Sequence, residues 1–256
     1  MVAIAADVKY TIISFDEVTS TNDVAREHAK GGCPEGLVIT AARQTKGRGR
    51  RGRSWHSESG GLYFSILLKP NLPSARVSLI TLAAGAAVVE VLREQYQLPA
   101  ELKWPNDVVV FDRKTAGVLC EGFHHPGGSS IIVGIGVNTN QPIASLPEPL
   151  QAAAGSVRAL TGLEVDNDFL LKQILARFKH HYHSLHADGG RSVLESARQY
   201  TAMLGKEVTV ITETEIYTAI ACGLSDQGAL VVEKSDGSQE ELWAADVSIQ
   251  TKKGED

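Results

Sequence analysis

The residues best suited to bind an anion lie in one glycine- and arginine-rich run at positions 44–55. Five cationic side chains and three glycines fall between Lys46 and Arg53, in a chain whose net charge is -5. Glycines let the backbone approach a phosphate closely, and each arginine offers a forked and permanently charged donor. The same composition is typical of a solvated surface turn and of a nucleic-acid-binding patch. The run by itself leaves these three interpretations open.

Three glycines of this run match the dinucleotide-binding pattern G-x-G-x-x-G by accident. Gly47, Gly49 and Gly52 have the required spacing. The pattern also requires glycines that open a helix and an acidic residue about 20 positions later that binds the ribose. The residues after Gly52 do not favour a helix start, and no Asp or Glu occurs between Glu58 and Glu90. A dinucleotide site of that kind is therefore not predicted.

A second group of polar residues lies at the predicted start of the first helix. Ser20, Thr21 and Asn22 follow a β-branched segment and precede a helical pattern. Residues of these types at this place are most simply helix caps. The alternative is that their hydroxyl and amide groups also face a ligand, and the sequence leaves both interpretations open.

Three further polar segments fall at the ends of predicted strands: Lys103–Asp107, Arg113–Gly117 and Gly134–Asn138. Each has a structural explanation, as a Pro-Asn-Asp turn, a solvated hairpin tip or a glycine bulge. Together with the arginine run they would gather cations, amides and a carboxylate on one face of a sheet. Cations can neutralise charge that develops at an attacked α-phosphate, and an Asn or Asp pair can hold Mg2+. No Walker A sequence occurs, so a nucleotide would have to be held in another way. The set of residues fits an adenylate-forming enzyme.

The hydrophobic pattern predicts an α+β fold. A small-residue-rich apolar segment indicates a buried helix at about Ser74 to Gln95, and later segments at Leu150–Leu160, Asn167–Leu185 and Ser192–Met203 are also helical in pattern. Strands followed by helices, rather than alternating units, favour this class. The predicted strands are Tyr10–Phe15, Leu37–Ala42, Gly61–Leu68, Ala100–Trp104, Val108–Phe111, Ala116–Phe123 and Ile131–Asn138.

The last part of the chain has a different pattern. From Gly205 to about Ile249 it contains five short strand-like runs separated by turn residues, which predicts a small β-barrel. A unit of that size depends on packing against the rest of the chain. We therefore predict two domains, at residues 1–203 and 204–256.

Composition limits the class of protein further. With 256 residues, 43% of them hydrophobic and 21% charged, the chain is typical of a soluble globular protein. Cys33, Cys120 and Cys222 are far apart, which indicates reduced thiols rather than disulfides or a zinc site. The N-terminus lacks a basic signal-peptide segment, and no apolar run reaches the length of a membrane span. We expect a cytoplasmic protein that binds neither a membrane nor, given its acidic charge, DNA.

Taken together, these motifs resemble the biotin protein ligase family. The resemblance extends from Ser-Thr-Asn through the arginine run and Trp55 to the three polar segments and the C-terminal strands. It implies a mixed β-sheet flanked by helices, related to class II aminoacyl-tRNA synthetases, with a C-terminal SH3-like β-barrel. Only 19 residues precede Ser20, so the chain resembles the short form without the N-terminal DNA-binding domain of long members.

The resemblance implies an ATP-dependent ligase. Such an enzyme converts biotin and MgATP into biotinyl-5′-AMP and pyrophosphate, and then transfers biotin to a lysine of a biotin carboxyl carrier protein or domain. ATP, Mg2+ and biotin are the implied ligands, and we expect a monomer or a weak homodimer.

The resemblance also implies roles for particular residues. The catalytic cations would be Lys114, Arg48 and Arg50. The nucleotide would be bound by Arg51, Trp55, Asn106 and Asn138, and the metal ion by Asn106 and Asp107. The residues that would contact biotin or its adenylate are Ser20, Thr21, Asn22, Gln44, Arg48, Gly49, Arg50, Lys114, Gly117 and Gly134.

Two departures and two alternatives accompany this resemblance. Lys46 and Thr115 stand where the family more often has a small and an apolar residue, which bears on affinities rather than on the reaction. One alternative is a lipoyl or octanoyl ligase or transferase of the same fold. The other is a non-catalytic module that binds an anion or nucleic acid. The arginine run paired with Lys103–Asp107 favours the biotin enzyme.

Overall fold

The computed structural model describes residues 8–73, 76–212, 214–243 and 245–249. Seven of its strands form one sheet, namely β1 (Thr11–Val18), β2 (Leu37–Gln44), β3 (Leu62–Leu68), β4 (Ala100–Lys103), β5 (Asp107–Val110), β6 (Arg113–His125) and β7 (Gly128–Val137). Their order is β1-β2-β3-β7-β6-β5-β4. The β1–β2 pair is parallel and the other neighbouring pairs are antiparallel, which confirms the mixed sheet.

Helices cover both faces of this sheet. They are α1 (Thr21–Lys30), α2 (Ser78–Tyr96), α3 (Glu148–Gln151), α4 (Val157–Thr161), α5 (Asn167–Ala187) and α6 (Arg191–Tyr200). Neighbouring strand residues point to opposite faces, so Ile39 and Leu67 pack with α1 whereas Val38 and Ile66 belong to the larger core that contains α2. Within the described ranges, no helix is both long and apolar enough to cross a membrane.

Small residues bring α2 close to the sheet. The segment Ala83–Ala87 is buried, and a Cβ atom on Gly85 would lie 2.5 Å from Leu102 Cδ1 of β4. A methyl group there would force the two elements apart. The small-residue pattern of the sequence therefore has the packing role that it predicts.

Five further strands form a second, antiparallel sheet. They are β8 (Glu207–Ile211), β9 (Ile216–Leu224), β10 (Leu230–Glu233), β11 (Gln239–Leu242) and β12 (Asp246–Ile249), in the order β11-β10-β9-β8-β12. The five predicted strands are confirmed, while closure into an SH3-like barrel stays a prediction. Residues 250–256 lie outside the described ranges.

The second sheet is joined to the first part of the chain by a buried seam. Ser78 Oγ donates to the Gln227 carbonyl at 2.6 Å, and Trp104 Nε1 donates to the Gly228 carbonyl at 3.0 Å. Residues of both sheets belong to one hydrophobic core. The boundary between residues 203 and 204 stays a prediction.

The turn expected between the predicted strands Val108–Phe111 and Ala116–Phe123 was wrong in its position. The turn is formed by Phe111 and Asp112, whose φ angles are 50° and 59°, and β6 already begins at Arg113. A two-residue hairpin turn of type I′ requires positive φ at both central positions. Lys114 therefore lies within a strand rather than in a solvated turn.

The single helix predicted at Leu150–Leu160 was also wrong, because α3 and α4 are separate. The residues between α3 and α4 pair with β6. Lys114 N donates to the Ala153 carbonyl at 2.7 Å, and Gly155 N donates to the Lys114 carbonyl at 3.0 Å. Pairing with β6 uses backbone groups that a continuous helix would need.

Several predicted boundaries shift by a few residues. The strand predicted to end at Phe15 continues to Val18, and the helix predicted to reach Met203 ends at Tyr200. The helix expected from about Ser74 begins at Ser78, and Ser74 itself lies outside the described ranges.

Candidate active site

A cavity of about 450 Å³ lies beside the first turn of α1, on the sheet face that α1 covers. Its walls come from α1, β2, the arginine run, β6, β7 and the second sheet. The predicted site residues that line it are Ser20, Thr21, Asn22, Gln44, Arg48, Gly49, Arg50, Trp55, Asn106, Asp107, Lys114, Gly117, Gly134 and Asn138. Arg51 does not line it; its Nη1 lies 3.9 Å from Asp246 Oδ2.

Three strand glycines make room for the side chains that shape this cavity. A Cβ atom on Gly136 would lie 2.5 Å from Trp55 Nε1, and one on Gly117 would lie 3.0 Å from Trp55 Cζ3. A Cβ atom on Gly134 would lie 2.9 Å from Asn22 Cγ. The glycines thus accommodate protein side chains. The predicted contact of Gly117 and Gly134 with a ligand stays a prediction.

One end of the cavity is polar but uncharged. Ser20 takes the N-cap position of α1, yet its side chain caps no backbone N–H group among the residues that the structure describes. The Thr21 backbone N–H donates to Gln44 Oε1 at 2.8 Å, and Asn22 Nδ2 donates to Glu121 Oε2 at 2.7 Å. Thr21 and Asn22 are almost completely buried. Their groups therefore serve the cavity wall rather than helix capping alone.

The other end is cationic. Arg48 pairs with Asp23 Oδ1 at 2.6 Å and with Glu121 Oε2 at 2.8 Å. Burial alone would lower the pKa of Arg48, but the charges of Glu121 and Asp23 outweigh it and the pKa is raised.

Arg50 has a different environment from Arg48. Its Nη1 donates to Asn106 Oδ1 at 3.1 Å. Burial and then the neighbouring charge of Arg51 lower the pKa of Arg50. A cation whose charge is disfavoured by its surroundings gains most from an anionic ligand. Binding of a phosphate by Arg50 stays a prediction.

Carboxylates from other elements hold the arginine run in place. Besides the two partners of Arg48, Asp246 of β12 pairs with Arg53. Within the run, Trp55 N donates to the Gly47 carbonyl at 2.9 Å. These contacts offset the repulsion between the like charges of the run.

Lys114 is a further cation that lines the cavity. Its Nζ is 2.8 Å from Asp107 Oδ1 and 5.3 Å from the ring centroid of Trp55. Asn138 Nδ2 donates to the Lys114 carbonyl at 3.2 Å. The ammonium group is therefore held at the cavity wall by a carboxylate that a second anion could replace or share.

The oxygen atoms of Asn106 and Asp107 suit a metal ion that arrives with a ligand. Asn106 Nδ2 donates to the Val118 carbonyl at 2.8 Å, which turns Oδ1 toward Arg50. Mg2+ commonly uses one or two protein oxygens together with substrate phosphates. Among the residues described, no group of three or more His, Cys, Asp or Glu is arranged to hold a metal ion. The role of Asn106 and Asp107 as ligands of Mg2+ stays a prediction.

Sequence reasoning missed residues that reach the site from distant positions. Ser65 is completely buried beneath Thr21, and its place inside an apolar strand was a usable signal. Glu121 and Asp246 hold arginines of the loop, but no local pattern marks them. The lining also includes residues outside the predicted set, among them Leu146, Leu150, Ala153, Ala154, Ile211, Val247 and Ser248.

Comparisons with known proteins agree with this fold. A model of the Biotin/lipoate A/B protein ligase family matches residues 14–140, and a model of the Biotin protein ligase C terminal domain matches residues 203–249. The biotin--[acetyl-CoA-carboxylase] ligase of Paracoccus denitrificans is 32% identical over 224 residues, covering 86% of this chain and 93% of that protein.

Two further relatives extend the comparison. The bifunctional ligase/repressor BirA of Bacillus subtilis is 31% identical over 240 residues, covering 93% of this chain and 74% of that protein. The structure of biotin protein ligase from Aquifex aeolicus in complex with biotin and ATP matches with a TM-score of 0.81 and 33% identity, covering 94% of this chain and 98% of that one. The chain belongs to the biotin protein ligase family.

Proposed function

We propose that this protein uses ATP to activate biotin as biotinyl-5′-AMP and then transfers the biotinyl group to a lysine of a biotin carboxyl carrier protein or domain. The observation that carries the proposal is one cavity whose uncharged polar end, with Thr21 and Gln44, adjoins a cationic end with Arg48, Arg50 and Lys114. A neutral polar head group and a phosphate would each meet matching groups there.

In the first step, a carboxylate oxygen of biotin attacks the α-phosphorus of ATP, and the bond to pyrophosphate breaks. Negative charge accumulates on the phosphate oxygens during this exchange. Arg50 and Lys114, which both line the cavity, would stabilise that charge. Asn106 and Asp107 would supply oxygen ligands to Mg2+, which neutralises phosphate charge when bound.

In the second step, the amine of the acceptor lysine attacks the acyl carbon of the mixed anhydride and AMP leaves. The adenylate must stay bound until the acceptor arrives, because water also hydrolyses a mixed anhydride. The arginine run and residues of the second sheet, such as Asp246, border the cavity and would retain the intermediate. The carrier partner, the oligomeric state and the cytoplasmic location stay predictions.

The purified protein is expected to exchange labelled pyrophosphate into ATP only when biotin and Mg2+ are both present. Biotin-dependent exchange is the direct signature of reversible adenylate formation. Parallel reactions with lipoate and octanoate serve as controls. Exchange with either of these acids but not with biotin would assign the protein to the lipoyl or octanoyl enzymes of the same fold. No exchange with any acid would favour a non-catalytic binding module.

A further inference from the structure

A β-bulge in β6 directs Lys114 toward the cavity. Val109 of β5 pairs with Lys114, whereas the preceding residue of β5 pairs with Ala116, so Thr115 is an extra residue in β6. Without it, Lys114 would share a sheet face with Ala116, which is buried in the larger core. The extra residue places Lys114 on the opposite face. There, a Cβ atom on Gly117 would lie 3.4 Å from Lys114 Cε.

Asn138, which directly follows β7, holds the backbone of this bulge. Its backbone N–H donates to the Thr115 carbonyl at 2.8 Å, and its Nδ2 donates to the Lys114 carbonyl at 3.2 Å. The Lys114 carbonyl also accepts from Gly155 N at 3.0 Å, so both of its lone pairs are used. An extra residue disrupts the regular ladder, and its backbone groups need other partners. Asn138 therefore supplies contacts that fix the start of the Lys114 side chain.

Gln141 sets the orientation of the Asn138 amide. Its Oε1 accepts from Thr139 N at 2.9 Å, and a backbone N–H group can only donate. Gln141 must therefore turn Nε2 toward Asn138 Oδ1, which is 2.7 Å away. This leaves Asn138 Nδ2 facing the Lys114 carbonyl, which can only accept. Because Gln141 is 2% exposed, solvent does not offer its amide an alternative partner.

We infer that Gln141 is a positioning residue that acts through Asn138 to hold the β6 bulge and thereby aims Lys114 into the cavity. Gln141 itself does not line the cavity. The inference rests on the proposed function, in which Lys114 stabilises charge that develops during adenylate formation. Displacing a group that acts on the reacting atoms lowers the rate even when the change lies outside the site. The effect should therefore fall on kcat rather than on the KM for biotin.

Gln141→Glu tests the orientation of the two amides at nearly constant size. The carboxylate still accepts from Thr139 N but cannot donate to Asn138 Oδ1, so the Asn138 amide has to reverse and place its oxygen against the Lys114 carbonyl. We expect kcat for biotin-dependent pyrophosphate exchange to fall by at least about 10-fold, with the KM for biotin within about 3-fold of wild type. Gln141→Met removes both hydrogen bonds without adding a charge and should give the same pattern.

A double variant tests whether Gln141 acts through the lysine side chain. The rate of biotinyl-AMP formation is measured in a single turnover with enzyme in excess, which resolves slow reactions. In a Lys114→Ala background, Gln141→Met should lower this rate by less than about 3-fold, because the group that it positions is already absent. A loss as large as in the wild-type background would show a general defect of the site and would overturn the inference. So would a wild-type rate in Lys114→Ala alone.

Asn140→Ala is the matched control. Asn140 lies in the same segment, and its amide also makes two hydrogen bonds to backbone groups, with Val165 O at 2.9 Å and Val165 N at 2.8 Å. Neither bond leads to Lys114. Its kcat should stay within about 2-fold of wild type, even if its melting temperature falls as far as that of the Gln141 variants.

The outcomes separate the inference from the proposed function. Equal losses of kcat in Asn140→Ala and Gln141→Met would show that the segment only supports the fold, and would overturn the inference. Wild-type kcat in both Gln141 variants would also overturn it while leaving the proposed function intact. Absence of biotin-dependent exchange in the wild-type protein would instead overturn the proposed function.

Discussion

Replacing Arg50 with glycine is expected to increase the biotin labelling of bystander proteins by at least about 10-fold. Arg50 lines the cavity and donates to Asn106, and a charge-assisted contact to the adenylate contributes about 1.5 to 3 kcal/mol. Losing it shortens retention of biotinyl-AMP by roughly 10- to 100-fold, and the glycine also increases backbone freedom. Adenylate would still form, but it would leave and acylate exposed lysines. Biotin incorporated into serum albumin measures this release.

Lys46→Gly is the matched control for Arg50→Gly. It adds a glycine and removes a cation from the same run, but Lys46 is exposed and does not line the cavity. Its bystander labelling should equal that of wild type. Protease cleavage of the run, followed with and without biotin, tests whether ligand binding orders it. If Arg50→Gly forms adenylate but labels albumin no more than wild type, and biotin gives no protection, the retention role of the run is wrong.

Lys114→Ala is expected to lower the rate of adenylate formation by at least about 10-fold, the scale of losing one electrostatic stabiliser. The folded state should be little affected, because the side chain is 40% exposed and its ion pair with Asp107 is of the kind that contributes less than about 1 kcal/mol. The backbone contacts of Lys114 with Ala153 and Gly155 do not need the side chain. Pyrophosphate exchange and the melting temperature measure the two effects separately.

Arg113→Ala is the control for this substitution. Arg113 is the neighbouring cation in β6, is exposed and does not line the cavity. Exchange by this variant should remain within about 2-fold of wild type. If Lys114→Ala loses stability and activity in parallel, the lysine is structural rather than catalytic.

The sequence was most informative where a local pattern is itself the functional element. The arginine run, the Pro-Asn-Asp turn and Ser20–Asn22 each combine residue types that are costly or unusual as plain surface, and these segments meet in one cavity. The order of β4 to β7 in the sheet follows their order in the sequence, because tight turns join these strands.

The remaining features depend on contacts between distant segments. Glu121 lies 99 positions from Asn22, and Asp246 lies 193 positions from Arg53, so no window of sequence contains both partners. The predicted helix at Leu150–Leu160 failed for the same reason, since pairing with Lys114 outweighs local helix propensity. Local sequence propensity determines which helices and strands form, and tertiary contacts determine where they end.

The buried seam between the two sheets has a consequence for recombining members of the family. Gly228 lies against α2 so closely that a Cβ atom there would be 2.9 Å from both Leu79 Cδ2 and Leu82 Cδ1, and its carbonyl holds the Trp104 indole. A chimaera that exchanges only the C-terminal fifty residues would graft a foreign surface onto this close fit. If Leu79, Leu82 and Trp104 are exchanged together with the second sheet, the residues on both sides of the seam come from the same parent protein.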